Sequence, residues 1–245
     1  MERRLQYLNY KEIAKIVPQE IDSVFLPIGT IEAHGVTPLG TDNIIPEYLS
    51  LTLSERLNFL VAPTISYGLT HSLLPYPGSI TVKEKSFYNY VLEVMISLSR
   101  IGFTKIIVIN GHGGNNAVLK NVLYEFYERT GKYAAVIHWW ILTYDLTEEF
   151  FGEHGAHAGI DENGMILAID PSLVKKELYS DDDVYLYNRG INSIPIPGSI
   201  ITYKNGEGKP RFNIKEAKEF KEKVLNYLEN VLKELLRRWN RVSEL

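Results

Sequence analysis

Thr104-Lys105-Ile106-Ile107-Val108-Ile109, running directly into Asn110-Gly111-His112-Gly113-Gly114-Asn115-Asn116, is the stretch that decides the fold. After Lys105 the first segment is apolar and nearly all β-branched, so it reads as a strand buried on both faces. Such a strand belongs in the middle of a parallel sheet that is covered by helices above and below. The glycine-rich run then forms a tight loop, and Ala117 to Thr130 read as the returning helix.

Working outward, the same order recurs. Ser23 to Gly29 is a short apolar run that ends in glycine, hence a buried strand that stops where a loop begins. The loop covers Thr30 to about Asn43. Pro46 suits the first turn of the helix that follows, which carries Tyr48, Leu49, Leu51, Leu53 and Leu57. Asn58 to Pro63 reads as the next strand. From Lys83 to Ser99 the apolar positions Phe87, Val91, Val94, Met95 and Leu98 recur at helical spacing. Lys132 to Trp140 is a further strand. A long loop is expected over Thr143 to Gly164, with a helix starting near Asn163, and Tyr179 to Arg211 reads as irregular. A closing helix covers about Lys215 to Trp239. Alternating strands and helices predict an α/β fold with a mostly parallel central sheet. No repeat or linker divides the chain, so residues 1–245 are expected to form a single domain.

Composition narrows the chemistry. The net charge of -4 is no basic excess of the kind nucleic-acid binding needs. There is no cysteine, which excludes disulfides, thiolate metal sites and thiol nucleophiles. No apolar run approaches the roughly 18 residues of a membrane span, and no apolar stretch of signal-peptide length opens the chain. A cytoplasmic protein without membrane contact is expected.

Ligands of open parallel sheets bind beyond the carboxyl ends of the strands, and two loops there are unusual. Gly29-Thr30-Ile31-Glu32-Ala33-His34-Gly35 places Glu32 and His34 on one side of an extended segment. Asp42 joins them if the loop folds back. Glu, His and Asp suit Zn, Mn or Fe, although a solvated loop would also account for the first pair. In Asn110–Asn116, His112 reads as a metal ligand, or the glycines read as a phosphate cradle. Neither the dinucleotide nor the Walker pattern is met. A third segment, Gly152 to Gly164, sets His157 five residues before Glu162, where a carboxylate could complete a metal site and a histidine could donate a proton, unless it is simply a polar loop. There is no serine elbow, so the chemistry points to metal-activated water.

Taken together, these segments resemble the creatininase family of metal-dependent amidohydrolases. The resemblance rests on Leu26 to Gly35, Pro38 to Asp42, Tyr67-Gly68 through His71, Pro77 to Thr81, Asn110 to Asn115, and His157-Ala158-Gly159 through Glu162. It implies a three-layer α/β/α fold, two divalent ions (Zn, Mn or Fe) per chain, a small amide substrate and a homo-oligomer, a hexamer in the family. The matching positions put Glu32 and His112 on one metal, His34 on the other, and Asp42 between them. Creatininase itself takes another ligand two residues after the third-loop histidine, where this chain has Gly114. Family members with two glycines there would use the later carboxylate, which is Glu162. His157 matches the family's proton donor, and His71, Ser79 and Asn115 match substrate-binding positions. The chain departs from the pattern between His34 and Asp42, which is one residue shorter and lacks a second histidine, and at Asn163-Gly164 in place of Thr-Ser. The family's activity would be hydrolysis of a cyclic amide or a formamide. The contrasting expectation is a non-enzymatic nucleotide- or phosphate-binding module of flavodoxin type.

Overall fold

The computed structural model describes residues 1–242. β1 (Ser23–Ile28), β2 (Leu60–Val61), β3 (Lys105–Asn110) and β4 (Tyr133–His138) form one sheet in the order β2-β1-β3-β4, with every neighbour parallel. β1 and β3 run in register from Ser23 opposite Lys105 to Ile28 opposite Asn110. β3 and β4 end together at Asn110 and His138. Three strand ends are thereby aligned along one edge of the sheet.

The helices are α1 (Tyr10–Ile16), α2 (Thr41–Leu57), α3 (Glu84–Ile101), α4 (Asn116–Thr130), α5 (Trp139–Leu142), α6 (Tyr144–Phe151), α7 (Ile160–Ile169) and α8 (Ile214–Val242). Strand alternation distributes the core between two faces. Phe25, Ile107 and Ile109 pack with Leu49 and Leu53 of α2, Met165 and Ile166 of α7, and Phe220 and Val224 of α8. Val24, Leu26, Ile106 and Val108 pack with Phe87, Val91 and Met95 of α3 and with Val118 and Val122 of α4. Two buried faces explain why β1 from Val24 to Ile28 and β3 from Ile106 to Ile109 are apolar, and they make the three-layer α/β/α architecture. No helix among the described residues is long and apolar enough to cross a membrane.

Four expectations need correction. α2 begins at Thr41, so Pro46 lies inside the helix and not in its first turn. The strand expected over Asn58–Pro63 shrinks to Leu60–Val61, because Asn58 adopts a left-handed conformation (φ 57°) that ends α2. The expected loop over Thr143–Gly164 contains α6 and the start of α7. α6 is short and lacks a side-chain cap, so its signal lies in tertiary packing: Phe150 and Phe151 close on Phe220 with ring centroids 5.6 and 4.7 Å apart. α7 is buried on all sides from Ile160 to Ala168, which erases amphipathic periodicity, and its acidic first turn mimics a loop. Finally, Tyr179–Arg211 contains a short parallel pair, β5 (Val184–Leu186) with β6 (Ile200–Thr202).

Asp22 latches β1 to β3. Its Oδ2 accepts from Lys105 Nζ at 2.6 Å and Thr104 Oγ1 at 2.7 Å, and its Oδ1 accepts from Ser23 Oγ at 2.7 Å. Burial pushes its pKa up, but these donors outweigh that and hold it below the usual 3.8. A carboxylate with a depressed folded pKa stabilises the fold above its unfolded pKa, and that stabilisation fades as pH falls through the folded value. Asp22→Asn should therefore lower the urea midpoint at neutral pH, by no more than about 1 kcal/mol because the group is partly solvated. The difference should shrink below pH 3.8.

Candidate metal centre

The residues of the centre are delivered by two strand ends and two helix starts. Glu32 and His34 follow β1, His112 follows β3, Asp42 is the second residue of α2, and Glu162 is in the first turn of α7. Asp42 is seated by an unusual backbone arrangement. Pro46 has no N–H, so the Asp42 carbonyl loses its helical donor. The backbones of Gly29 and Gly111 close on that carbonyl, and a Cβ added at either would come within 2.1 Å of it. The glycines that end β1 and β3 are thus steric requirements of the Asp42 position.

Asp42 lies between two histidines. Its Oδ1 is 2.9 Å from His34 Nε2, and its Oδ2 is 2.9 Å from His112 Nδ1. Glu32 Oε1 is 3.3 Å from His112 Nδ1, and Glu162 Oε2 is 3.7 Å from His34 Nε2. Two ligand triads result, Glu32–Asp42–His112 and His34–Asp42–Glu162, with Asp42 common to both. A third grouping, Glu32–His34–His157, overlaps them. All five residues other than His157 are buried.

The donor set fits divalent ions. Ligands about 2.1 Å from a tetrahedral ion lie on the order of 3.4 Å apart, and the separations here bracket that spacing. His34 Nε2 and Asp42 Oδ2 are buried without a hydrogen-bond partner although each has a neighbour at 2.9 Å. Their lone pairs are therefore not aimed at one another. Gly114 cannot contribute, since a Cβ there would come within 2.2 Å of Leu69 O and 2.5 Å of His112 Nε2. Glu162 brings a carboxylate to the His34 side of Asp42, and its Oε2 also accepts from Ala158 N at 2.7 Å.

Backbone carbonyls orient the imidazoles. His34 Nδ1 lies 3.0 Å from Glu32 O, His112 Nε2 2.9 Å from Leu69 O, and His157 Nε2 2.9 Å from Ala33 O. Each of those nitrogens donates, which leaves His34 Nε2, His112 Nδ1 and His157 Nδ1 facing the centre. Ser79 and Asn115 belong to this support. Ser79 Oγ accepts from Ala33 N at 3.0 Å, and Asn115 Oδ1 accepts from Leu69 N at 3.0 Å. Ser79 therefore holds the Glu32–Ala33 peptide, whose carbonyl orients His34, and Asn115 holds the Gly68–Leu69 peptide, next to the Leu69 carbonyl that orients His112. Neither lines the cavity, so the structure does not bring them to a substrate. His71 does line it.

Electrostatics match the geometry. Burial disfavours a charged His34, but Asp42, Glu162 and Glu32 outweigh it and raise its pKa to about 10. Burial likewise opposes charge on His112, and Glu32 and Asp42 push its pKa well above the usual value. Asp42 is driven well down despite its burial, by His34 and His112. Burial raises Glu162, and Asp42 and Asp161 add to that against His34. Burial and His34 together lower His157 to about 4.

A cavity of about 590 Å³ opens over the cluster, within the usual range for small-molecule sites. Its walls include residues that sequence reasoning missed: Trp140, Tyr144, Thr147, Asp161 and Tyr203. Only Asp161 carried a signal, as the partner of Glu162 in an acidic pair. It is buried, which raises its pKa to about 6, and its Oδ1 accepts from Ala156 N at 3.1 Å.

A family model described as creatininase, creatinine amidohydrolase, matches residues 6–211. The chain belongs to the creatininase family. Among its relatives, a 3-dehydro-scyllo-inosose hydrolase of Thermotoga maritima is 26% identical over 96% of this chain and 84% of that protein. A creatinine amidohydrolase of Pseudomonas putida is 25% identical over 68% of this chain and 72% of that protein. A 2-amino-5-formylamino-6-ribosylaminopyrimidin-4(3H)-one 5'-monophosphate deformylase of Methanothermus fervidus is 29% identical over 47% of each chain. The crystal structure of a creatininase superposes with a TM-score of 0.83 at 18% identity, covering 95% of this chain and 97% of that one. Related creatininase structures include a Zn–Zn form and a Mn form. The three-layer fold with a mostly parallel sheet is therefore that of the creatininases.

Two outcomes are expected. Metals need neutral imidazoles, and His34 and His112 have raised pKa values. Titrating Zn²⁺ into metal-free protein near neutrality should therefore release protons, and metal affinity should climb as pH rises. Calorimetry in buffers of different ionisation enthalpy measures both. Asn115→Ala should weaken metal binding by roughly 10–100-fold through His112 while the fold survives. Elemental analysis after dialysis, with circular dichroism as control, reads this directly.

Proposed function

We propose that the chain is a binuclear metal-dependent amidohydrolase that opens a small cyclic amide or removes a formyl group. The observation that carries this reading is the pair of buried triads sharing Asp42, at the floor of a cavity sized for a small molecule. Glu32, Asp42 and His112 would hold one ion, and His34, Asp42 and Glu162 the other. Bound there, Zn, Mn or Fe supplies Lewis acidity toward a carbonyl and brings the pKa of water toward about 7.

The protein's own part is positioning and proton transfer. Asp42 presents one oxygen to each triad, so its charge is shared between two cations that would otherwise repel. His157 holds its Nε2 proton on Ala33 O and turns Nδ1 toward Glu32 Oε1 at 3.6 Å. Nδ1 is then the unprotonated nitrogen, so it can take a proton from the attacking water and pass that proton to the nitrogen that leaves as the amide breaks. Ala158, at φ 53°, turns the chain sharply after His157 and aims its own N–H at Glu162. Trp140, Tyr144 and Tyr203 line the wall that a planar amide would face.

The substrate class rests on the relatives. One acts on creatinine and another deformylates a pyrimidine nucleotide. The Gly113-Gly114 loop and the shortened first loop favour a formamide over creatinine. A second reading, hydrolysis of a cyclic polyhydroxy ketone, is favoured by the relative that matches 96% of this chain, the inosose hydrolase. A family-like hexamer, measurable by light scattering, is part of the proposal.

Metal-reconstituted protein should turn over a formamide or cyclic amide in a panel that also contains 3-dehydro-scyllo-inosose. Turnover of the inosose alone would favour the second reading. Binding of nucleotide without metal or turnover would favour the non-enzymatic module. His157→Ala should keep both metals and lose roughly 10²–10⁴-fold in kcat. Loss of metal in that variant would instead make His157 a ligand, as the Glu32–His34–His157 grouping allows.

A further inference from the structure

The cavity over the ligand cluster does not end at its aromatic wall. Tyr144, Gly155 and Tyr203 also line a second chamber of about 380 Å³. The two spaces have opposite character. Four carboxylates face the inner one, from Glu32, Asp42, Asp161 and Glu162. The outer one is lined by Arg189 and Lys204, with Glu207 as its carboxylate. Glu207 lies 3.4 Å from Lys204 Nζ across an exposed pair, a contact worth little. The Arg189 guanidinium makes no ion pair or side-chain hydrogen bond among the described residues.

The walls of the outer chamber are largely aromatic. Tyr144 stacks on His154 with centroids 3.8 Å apart and planes at 10°. Tyr203 meets Tyr187 edge-on at 5.9 Å. His154 Nε2 faces Glu148 at 3.2 Å, while its Nδ1 is buried with no partner. An unsatisfied buried nitrogen calls for a hydrogen-bonding group. The chamber is also tied to the segment bearing the inner residues: Ile201 N donates to His157 O at 2.9 Å, Ile160 N to Gly208 O at 3.0 Å, and Gly208 N to Glu153 Oε2 at 2.6 Å.

We propose that this outer chamber binds an oxyanion, phosphate or carboxylate, carried by the substrate whose carbonyl lies at the inner cluster. The assignment rests on the hydrolase reading for the inner end. The planar guanidinium of Arg189 matches either oxyanion in a forked contact. Arg189 and Lys204 are the cationic side chains of the two chambers and both lie at the outer one, so the charged tail is turned outward and the carbonyl inward. The position of these basic side chains thus fixes which end of the substrate enters first.

The test uses metal-loaded protein and calorimetric titration with two matched pairs, ribose 5-phosphate against ribose and glucuronate against glucose. The wild-type protein should prefer the anionic member of at least one pair by roughly tenfold, and Arg189→Glu should abolish that preference. The pair showing it identifies phosphate or carboxylate as the group read. Arg189 is exposed, so the fold should tolerate the change, and circular dichroism checks it. Equal binding of charged and neutral members would overturn the proposal. So would a preference that survives in Arg189→Glu, because the anion would then sit on the inner cluster. The readout needs no turnover, so a failure of the hydrolase reading, seen as no product from any amide or inosose, is distinguishable from a failure here.

Discussion

The position of the Asp42 carboxylate is the constraint around which the centre is arranged. A buried carboxylate 2.9 Å from each of two imidazoles is tolerable only with its charge compensated on both sides. Holding it there requires α2 to start close against the ends of β1 and β3. Pro46 frees the Asp42 carbonyl, and Gly29 and Gly111 leave room for it. Strand register completes the arrangement, because Ile28 opposite Asn110 puts the loops bearing Glu32, His34 and His112 side by side.

Around this carboxylate, the support is largely backbone. Three imidazoles are oriented by three carbonyls; Ser79 holds one of those peptides, and Asn115 holds the peptide just before another. Backbone carbonyls move only with the loops that carry them, so the nitrogens facing the centre are set by the fold. The cluster is thereby ordered independently of any ion, which lowers the reorganisation needed when one binds.

The Gly113-Gly114 loop carries no carboxylate, and Glu162 brings one to the cluster beside His34. A side chain at 114 would collide with Leu69 O and the His112 ring. Glu162 reaches the His34 side of Asp42 from α7, a helix buried on all faces and hence rigidly placed. The consequence is that residues just before α7, including His157, share one segment with a ligand position. The β5–β6 pair and Gly208 brace that segment by backbone hydrogen bonds.

Much of this architecture is encoded locally. β1 and β3 are legible because burial on both faces demands an unbroken apolar run, and α8 because one apolar stripe recurs at helical spacing. Glu32, His34, Asp42, His112, His157 and Glu162 are legible as polar residues set in glycine-containing loops next to such runs, with the family resemblance supplying their roles. What only the tertiary structure decided has a common physical cause: it depends on partners distant in sequence. α6 and α7 are stabilised by α8 and α2 and not by their own periodicity. Ser79 and Asn115 read as substrate contacts in sequence, yet their polar atoms are taken by the backbone of loops about 46 residues away. The walls at Trp140, Tyr144 and Tyr203, and the outer chamber with Arg189, come from segments that carry no motif. They become a surface only when β6 docks beside His157, because a cavity is a relation among distant segments and no local stretch encodes it.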